Sequence, residues 1–565
     1  MISLVDGIVA KVRAAGAKGI SILPKDIKKI LKGTPDYHRK QMISLLDSSS
    51  GKKPKDETIL FWVPGGLPLM LHVEAAVAGA LQLRGYKVHA IICNGPYRAC
   101  MRREVTDNNP VHRWHESCHK CFASTSNILY SIGIPFSPNG DYVERDSKNL
   151  IWEKVKSCTY DDLEEYHFQG INIGKNARSA IIRFLKGKEI NGHEEVAKEF
   201  LFSAMFNAIA SEAAIEKIKP SRIFMSHGIY ADWGPALKNA VSKGIPVIGW
   251  MASYKKASFY FRFVRDDIHI SFHNLSDSAW SVTANKDLNS LQQKRLDHYL
   301  SKRYKKNASF DLKKLSAYSG DTEILYSKLN LSKDKPVWGI FAHISWDAVA
   351  DSAPMAHQSF DKWILETVEE VSKIKDVQWI IKTHPAETWD STAKGVGSLV
   401  DSHYPSLPDH VIILLPDINL NPLDFFHFID GGVTVYGTAG LELALMGKPV
   451  ILSGAAHYGG KGFTYDGLDP DSYTQLLRRA KELKPLTIDQ RRRANKYAYS
   501  YFIQRQIPLP VVNDPKSNWW HFQYDKKDML MPGKNPFIDF ICDSIQDSGD
   551  FIMNEKLVQL AESAI

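Results

Sequence analysis

Thr58-Ile-Leu-Phe-Trp-Val-Pro-Gly-Gly66 reads as a buried strand that runs into a glycine-rich turn. The spacing predicts a helix over 73–84, Gly85 as its stop, and a second strand over Lys87-Val-His-Ala-Ile-Ile92. Strand, loop, helix and strand in that order make a parallel pair with a right-handed crossover. The rhythm returns at Arg222-Ile-Phe-Met225, the loop Ser226-His227-Gly228, a helix over 235–242, and Pro246-Val-Ile-Gly-Trp250. A second α/β series follows the helical, lysine-rich stretch 285–335. Its strands are expected at 337–342, 377–382, 411–415, 433–435 and 447–451.

At 565 residues the chain is too long for one ordinary core and suits two sizeable domains. The hydrophobic share of 44% and charged share of 24% are those of globular proteins, which excludes collagen, coiled coil and wholesale disorder. Lys and Arg number 71 against 63 Asp and Glu, a formal charge of +8. That mild excess favours an anionic partner such as a nucleotide, an acidic glycan or a membrane surface. No nucleic-acid signature accompanies it. No secretory signal opens the chain, and the apolar region 59–83 is interrupted by Pro64, Gly65, Gly66, Pro68, His72 and Glu74. Six cysteines make no disulfide scaffold, so the expected compartment is the cytoplasm. The basic lead-in, 1–56, reads as a solvated helical extension, or as a surface helix touching anionic lipid.

Ligands of open parallel sheets sit beyond the carboxyl ends of strands. Several loops at such positions carry chemistry. Lys382-Thr-His384-Pro385 delivers a cation and an imidazole at a strand end, suited to phosphate, or to capping and a surface lysine. Gly437-Thr438-Ala439-Gly-Leu-Glu442 opens a helix whose free amides suit an anion, although a tight turn needs those glycines anyway. The glycine-rich loop 454–463 carries His457, Tyr458 and Lys461. Ser345, Trp346 and Asp347 follow the first strand of the second half.

Taken as an ordered set, "WDA" at 346–348, "KTHPAE" at 382–387, "GTAGLE" at 437–442 and the "GKPVI…HYGGKGFT" of 447–464 resemble the bacterial capsular-polysaccharide glycosyltransferases, the group that includes Kdo transferases. The first half is similar only in general style, through "HGIYADWGPA" at 227–236. The resemblance implies a GT-B fold: two doubly wound Rossmann-like domains across a cleft, with a helical N-terminal extension. It implies an extension over 1–56, an acceptor domain over 57–310, a nucleotide-sugar domain over 311–505, and a tail, 506–565, returning to the first domain. It also implies transfer of a 3-deoxy-ulosonic acid (Kdo or a nonulosonate) from a CMP-activated donor to an oligosaccharide or lipid-linked glycan. By the same resemblance Lys382, His384, Thr438 and the amides of Gly437 and Ala439 contact phosphate. Glu442 holds ribose or cytosine, and Ser345, Trp346 and Asp347 complete the donor site. No metal or cofactor is required, because cations and helix dipoles take the leaving-group charge. The location implied is the inner face of the cytoplasmic membrane, as a peripheral protein.

The general base is expected from the first half, where Asp232, His227, His72 and Glu74 are candidates and Gly65 and Gly66 border the acceptor. Asp232 is equally readable as a helix N-cap. Two other readings stay open: a CDP-alditol phosphotransferase with His457 as second catalytic histidine, and a GT-B transferase using a UDP- or GDP-sugar. Cys93, Cys100, Cys118 and Cys121 read as free thiols or as a structural zinc site, with Cys118-x2-Cys121 the better arm.

Overall fold

The computed structural model describes residues 34–49, 54–64, 68–100, 102, 111–160, 163–265, 273–304, 320, 323–348, 353–389, 392–393, 395–415 and 420–563. Gly65, Gly66, the first 33 residues of the basic lead-in and the connecting stretch at 305–319 lie outside the described residues.

The first half is built on β1 (Thr58–Val63), β2 (Lys87–Ile92), β3 (Phe136–Pro138), β6 (Arg222–Ser226), β7 (Val247–Ala252) and β8 (Ser258–Val264), with a small hairpin of β4 (His167–Phe168) and β5 (Ile171–Asn172) outside it. The second half uses β9 (Val337–Phe341), β10 (Gln378–Lys382), β11 (Val411–Leu414), β12 (Gly431–Thr434), β13 (Val450–Leu452) and β14 (Tyr465–Asp466), and β15 (Ile507–Pro508) belongs to the first sheet again.

The second sheet runs β11-β10-β9-β12-β13-β14, and all its pairings are parallel. Its strand order reverses between β9 and β12, which opens a crevice at their carboxyl ends. The first sheet runs β15-β8-β7-β6-β1-β2-β3. Its core from β7 to β3 is parallel and reverses between β1 and β6. Two antiparallel strands, β8 and β15, are added at one edge. Each half is therefore a doubly wound Rossmann-like unit, and the fold is GT-B, with helical structure leading in at Pro35–Ser49.

Strand β1 shows why both faces of the first sheet need cover. Leu60 and Trp62 pack on one side with Phe200, Ala204 and Ala208 of the helix Glu194–Ile218. Ile59, Phe61 and Val63 pack on the other with Val73, Val77 and Leu81 of the helix Pro68–Gln82. Alternate residues of a strand face opposite ways, and a parallel sheet covered on both sides reads as one apolar run. The helix Pro68–Gln82 starts before the expected 73 because Pro68 supplies a ready-made first-turn φ and the residues after it are already apolar.

The chain after residue 506 packs on the first half. Pro508 and Ile507 pair with Ser258 and Phe259. Arg84 binds Asp539 in the helix Pro536–Asp547 and also donates to the Leu530 carbonyl at 2.9 Å. Among the described residues no helix is long and apolar enough to cross a membrane.

Candidate active site

The crevice at the carboxyl ends of β10, β9 and β12 gathers the cationic and amide groups of the second half. Register sets Lys382 beside Phe341 and Leu414 at the end of β10. Its aliphatic stem is packed, and burial lowers its ammonium pKa. Thr383 is buried and its hydroxyl donates to the Leu414 carbonyl at 2.9 Å, which fixes the backbone just before His384. The backbone N–H of Ala386 donates to His384 Nδ1 at 3.1 Å. An Nδ1 that accepts leaves the neutral ring its one proton on Nε2, so the N–H donor of His384 is Nε2.

Gly437 caps the helix Thr438–Leu445 without any side-chain cap, and Thr438 and Ala439 are half-buried. The first amides of that helix and its dipole therefore face the crevice end of β12. The preceding turn is held from below. The Gly437 N–H donates to Thr434 Oγ1 at 3.3 Å, and the Tyr458 hydroxyl donates to the Gly437 carbonyl at 2.6 Å. A Cβ at Gly440 would overlap that hydroxyl, so the fourth residue of "GTAG" is small for packing and not for a ligand.

His343, which the motif reading passed over, links the two segments. The Tyr436 N–H donates to its Nε2 at 3.1 Å, and its ring stacks on Phe360 with centroids 4.8 Å apart. Burial, with the neighbouring His384, pushes its pKa down to about 3. His343 is thus a neutral spacer between His384 and the Gly437 turn. Its signal lay in plain sight two residues before Ser345, but a lone histidine after an apolar strand carries no motif.

Several expected site residues face elsewhere. Glu442 is 4% exposed. Its Oε1 accepts from Arg303 Nε at 2.6 Å and its Oε2 accepts from the Tyr304 hydroxyl. It is a buried partner of the segment leading into the second half and offers no oxygen to ribose or cytosine. Trp346 is buried, donates from Nε1 to Thr392 Oγ1 at 3.0 Å, and lies under the Lys186 ammonium at 4.2 Å. It plugs the junction of the two halves and presents no open face to a base. Asp347 Oδ1 is bound by Arg183 and by the Tyr230 hydroxyl at 2.9 Å, both from the first half. Ser345 sits beside Gly187 at the same junction. Tyr230 takes φ +64°, an uncommon conformation for a bulky residue, and Ala348 takes φ +54°. Strain is thereby concentrated on both sides of the Arg183–Tyr230–Asp347 clasp.

His457 is also removed from the crevice. It is sealed among Tyr497, Tyr501 and His273, its Nδ1 lies 2.9 Å from the Tyr497 hydroxyl, and burial drives its pKa well down. A phosphotransferase would need this ring at the reacting phosphate. Lys461 points to Trp280 and Asp277, with Nζ 4.0 Å from the carboxylate. Tyr458 is buried and supports the Gly437 turn.

In the first half, His227 follows β6 and lies against Trp233 and Tyr230, with ring centroids at 4.8 and 5.8 Å. Burial and then Arg183 lower its pKa to about 3, and Asp347 opposes them. It is neutral, stands at the junction, and its Nδ1 makes no hydrogen bond. Asp232 is not an N-cap: that position is Ile229, and Asp232 is 1% exposed within the first turn of the helix Tyr230–Ser242. It lies near Tyr97, whose hydroxyl pKa is pushed up by burial, then Cys93 and Asp232. Glu74 is buried, accepts from Trp250 Nε1 at 3.3 Å, and burial raises its pKa to about 8 against the pull of Trp250 and the Ser226 backbone. His72 packs against His521 with ring centroids at 5.3 Å, and burial lowers its pKa to about 4. Cys93, Cys100, Cys118 and Cys121 do come together, lining one narrow cavity with Pro64 and Tyr97. Among the described residues, no three His, Cys, Asp or Glu side chains are arranged to hold a metal ion.

Fold and crevice together define a two-domain Rossmann-type protein whose second half sets Lys382, His384 and the start of the helix Thr438–Leu445 at strand ends. The comparisons make that class more specific. Residues 272–501 match the profile of the family described as capsule polysaccharide biosynthesis protein, so the family resemblance of the second half is shown over that range. No curated protein matches the chain. Among solved structures, the beta Kdo 2,4 transferase KpsC of Thermosulfurimonas dismutans is similar at 14% identity, over 55% of this chain and 87% of that one, with a TM-score of 0.34. The beta Kdo 2,7 transferase KpsC of the same organism gives 13%, 57%, 88% and 0.31. The UDP-GlcNAc 2-epimerase of Neisseria meningitidis gives 11%, 79%, 98% and 0.25. Superpositions this loose say nothing about substrate.

Proposed function

We propose that this protein is a glycosyltransferase of bacterial surface-polysaccharide synthesis, taking a 3-deoxy-ulosonic acid from a CMP-activated donor to an oligosaccharide or lipid-linked glycan. The observation that carries the reading is the His384 tautomer. With Nδ1 taken by the Ala386 amide, the neutral ring keeps its proton on Nε2; His384 follows Lys382 at the end of β10, and the helix Thr438–Leu445 begins at Gly437 without a side-chain cap. Cytidylate leaves as an anion, and preorganised donors aimed at that charge lower the barrier. The reading assigns this work to Lys382, His384, Thr438 and the amides of Gly437 and Ala439, with Pro385 setting the turn, and needs no metal. The match of 272–501 to the capsule family supports the polysaccharide context.

On the acceptor side we assign the proton to His227, which is neutral and carries a bare Nδ1 at the junction. Asp232, 1% exposed in the first turn of the helix Tyr230–Ser242, is the competing candidate. A lipid-linked acceptor would set the work at the inner face of the cytoplasmic membrane.

A thermal-shift series with CMP, CDP, UDP and GDP tests the donor. CMP at a hundred times its dissociation constant stabilises by about 2.7 kcal/mol, and indifference to every pyrimidine nucleotide would sink the proposal. His384→Ala should lower donor turnover by about a hundredfold or more while the protein stays folded. His227→Ala and Asp232→Asn separate the base candidates, since losing the true base costs about a hundredfold or more.

A further inference from the structure

Beside the place where the chain returns to the first sheet lies a cavity of about 530 Å³. Its walls come from the helix Asp277–Ala284, the turn after it, the last turn of the helix Ile488–Tyr499, and the stretch that leads into the helix Glu555–Ser563. Gln504, just before the crossing into β15, also lines it. The volume falls within the range of small-molecule sites, about 300–1,000 Å³. A flat protein surface would leave such a hollow unfilled, so its occupant is a molecule that enters it.

Most polar groups on the walls are engaged with one another. Lys496 Nζ donates to the Ala284 carbonyl at 2.7 Å and lies 2.8 Å from the Asp287 carboxylate. Glu555 accepts from Gln292 and Arg295, each at 2.7 Å, and from the Tyr499 hydroxyl at 2.9 Å. Gln504 Nε2 donates to the Met553 carbonyl at 3.1 Å, and Asn554 Oδ1 accepts from the Leu557 N–H at 3.0 Å. Asp550 lies within charge range of Arg262, outside the cavity. A sugar or a nucleotide would find few unengaged partners here. What remains is aliphatic: Ala279, Val282, Leu288 and Ile552. Ala279 and Val282 stand three apart on one helix and so share a face. Ala279 is 6% exposed and Val282 is 71% exposed, which sets one deep and the other at the mouth. Covering that valine and filling the hollow with CH₂ groups removes apolar surface from water. Lys286 also lines the cavity and is exposed. Its ammonium makes no ion pair among the described residues, which leaves one uncompensated positive charge beside an apolar hollow.

We infer that this cavity binds the alkyl chain of a single-chain anionic amphiphile, the chain set against Ala279, Val282, Leu288 and Ile552 and the head group beside Lys286. The assignment rests on these residues alone and holds whatever donor the crevice takes.

Calorimetric titration of the full chain with hexanoate, octanoate, decanoate and decyltrimethylammonium, each below its micelle-forming concentration, tests it. Affinity should rise about fourfold for each added CH₂ from hexanoate to decanoate. Decanoate should bind more tightly than decyltrimethylammonium. Val282 is exposed and asparagine has a similar helix propensity, so Val282→Asn should fold normally and weaken decanoate about fivefold or more. Lys286→Gln should weaken decanoate about two- to fivefold and should not weaken the cationic amphiphile. The thermal response to CMP should be the same in both variants, which separates this site from the donor site. Affinity that ignores chain length, or that is unchanged in Val282→Asn, overturns the inference. A cationic amphiphile that binds as tightly as decanoate overturns the anionic assignment. A dimer in sedimentation that Val282→Asn dissolves, with no decanoate binding, would give this face to a second copy and overturn the inference as well.

Discussion

Replacing Glu442 separates a structural carboxylate from a ligand-binding one. Its side chain is 5% exposed, that of Arg303 is 3% exposed, and they meet at 2.6 Å. The Tyr304 hydroxyl takes the second oxygen, and the Arg303 guanidinium lies 4.2 Å over the Tyr254 ring. Burial raises the Glu442 pKa and Arg303 opposes that, so the carboxylate depends on its partner. Removing one member leaves a buried, uncompensated charge, which costs about 3–5 kcal/mol. Glu442→Leu and Arg303→Met should each lower unfolding stability in urea by that amount. The double variant should lose far less than the two together, because an apolar pair leaves no orphaned charge. Glu442→Gln should bind CMP within about threefold of the parent, about 0.6 kcal/mol or less. A Glu442→Gln protein with parental stability and CMP binding weakened tenfold or more would refute the structural assignment and return Glu442 to the nucleotide.

Glu74 should make stability depend on pH. Its folded pKa, about 8, lies above the ordinary 4.5, so its neutral form favours folding fully below pH 4.5. That contribution is lost as pH rises toward 8, by at most about 1.4 kcal/mol per unit, and urea midpoints of Glu74→Gln across pH 5–8 should fall less steeply than those of the parent. Breaking the clasp with Asp347→Ala removes the acceptor for Arg183 and Tyr230, and small-angle scattering should show a larger radius of gyration; an unchanged radius would mean the halves are held by packing alone. Gly440→Ala should cost about 1–3 kcal/mol through overlap with Tyr458, and Tyr458→Phe should recover part of it by removing the hydroxyl that is struck.

Most of the parallel strands and their loops were legible because each is a local apolar run ended by glycine, proline or a polar turn; β3 and β14, three and two residues long, offer too short a run to read. The positions of Lys382, His384 and the Gly437 turn were legible for the same reason, since each stands at a strand or helix end. What stayed hidden depends on partners far along the chain. Glu442 meets Arg303 across 139 positions, and Asp347 meets Arg183 across 164. No spacing rule reports such pairs, so acids beside a glycine-rich turn read as ligand contacts. Trp346 and His457 misled in the same way, since polar tips on a loop suggest exposure, whereas Lys186 and Tyr501 cover them. The edge strand β8 was missed because its run Ser258-Phe-Tyr-Phe-Arg-Phe-Val264 follows β7 after a short turn rather than a crossover helix.

The return of the chain to β8 through β15 gives the two halves two covalent crossings, one before β9 and one at Arg505–Ile507. A single tether would let the halves tumble in any direction. Two tethers side by side act like the pins of a door, confining opening to rotation about the line that joins them. The Arg183–Asp347 contact then serves as the latch on the swinging side.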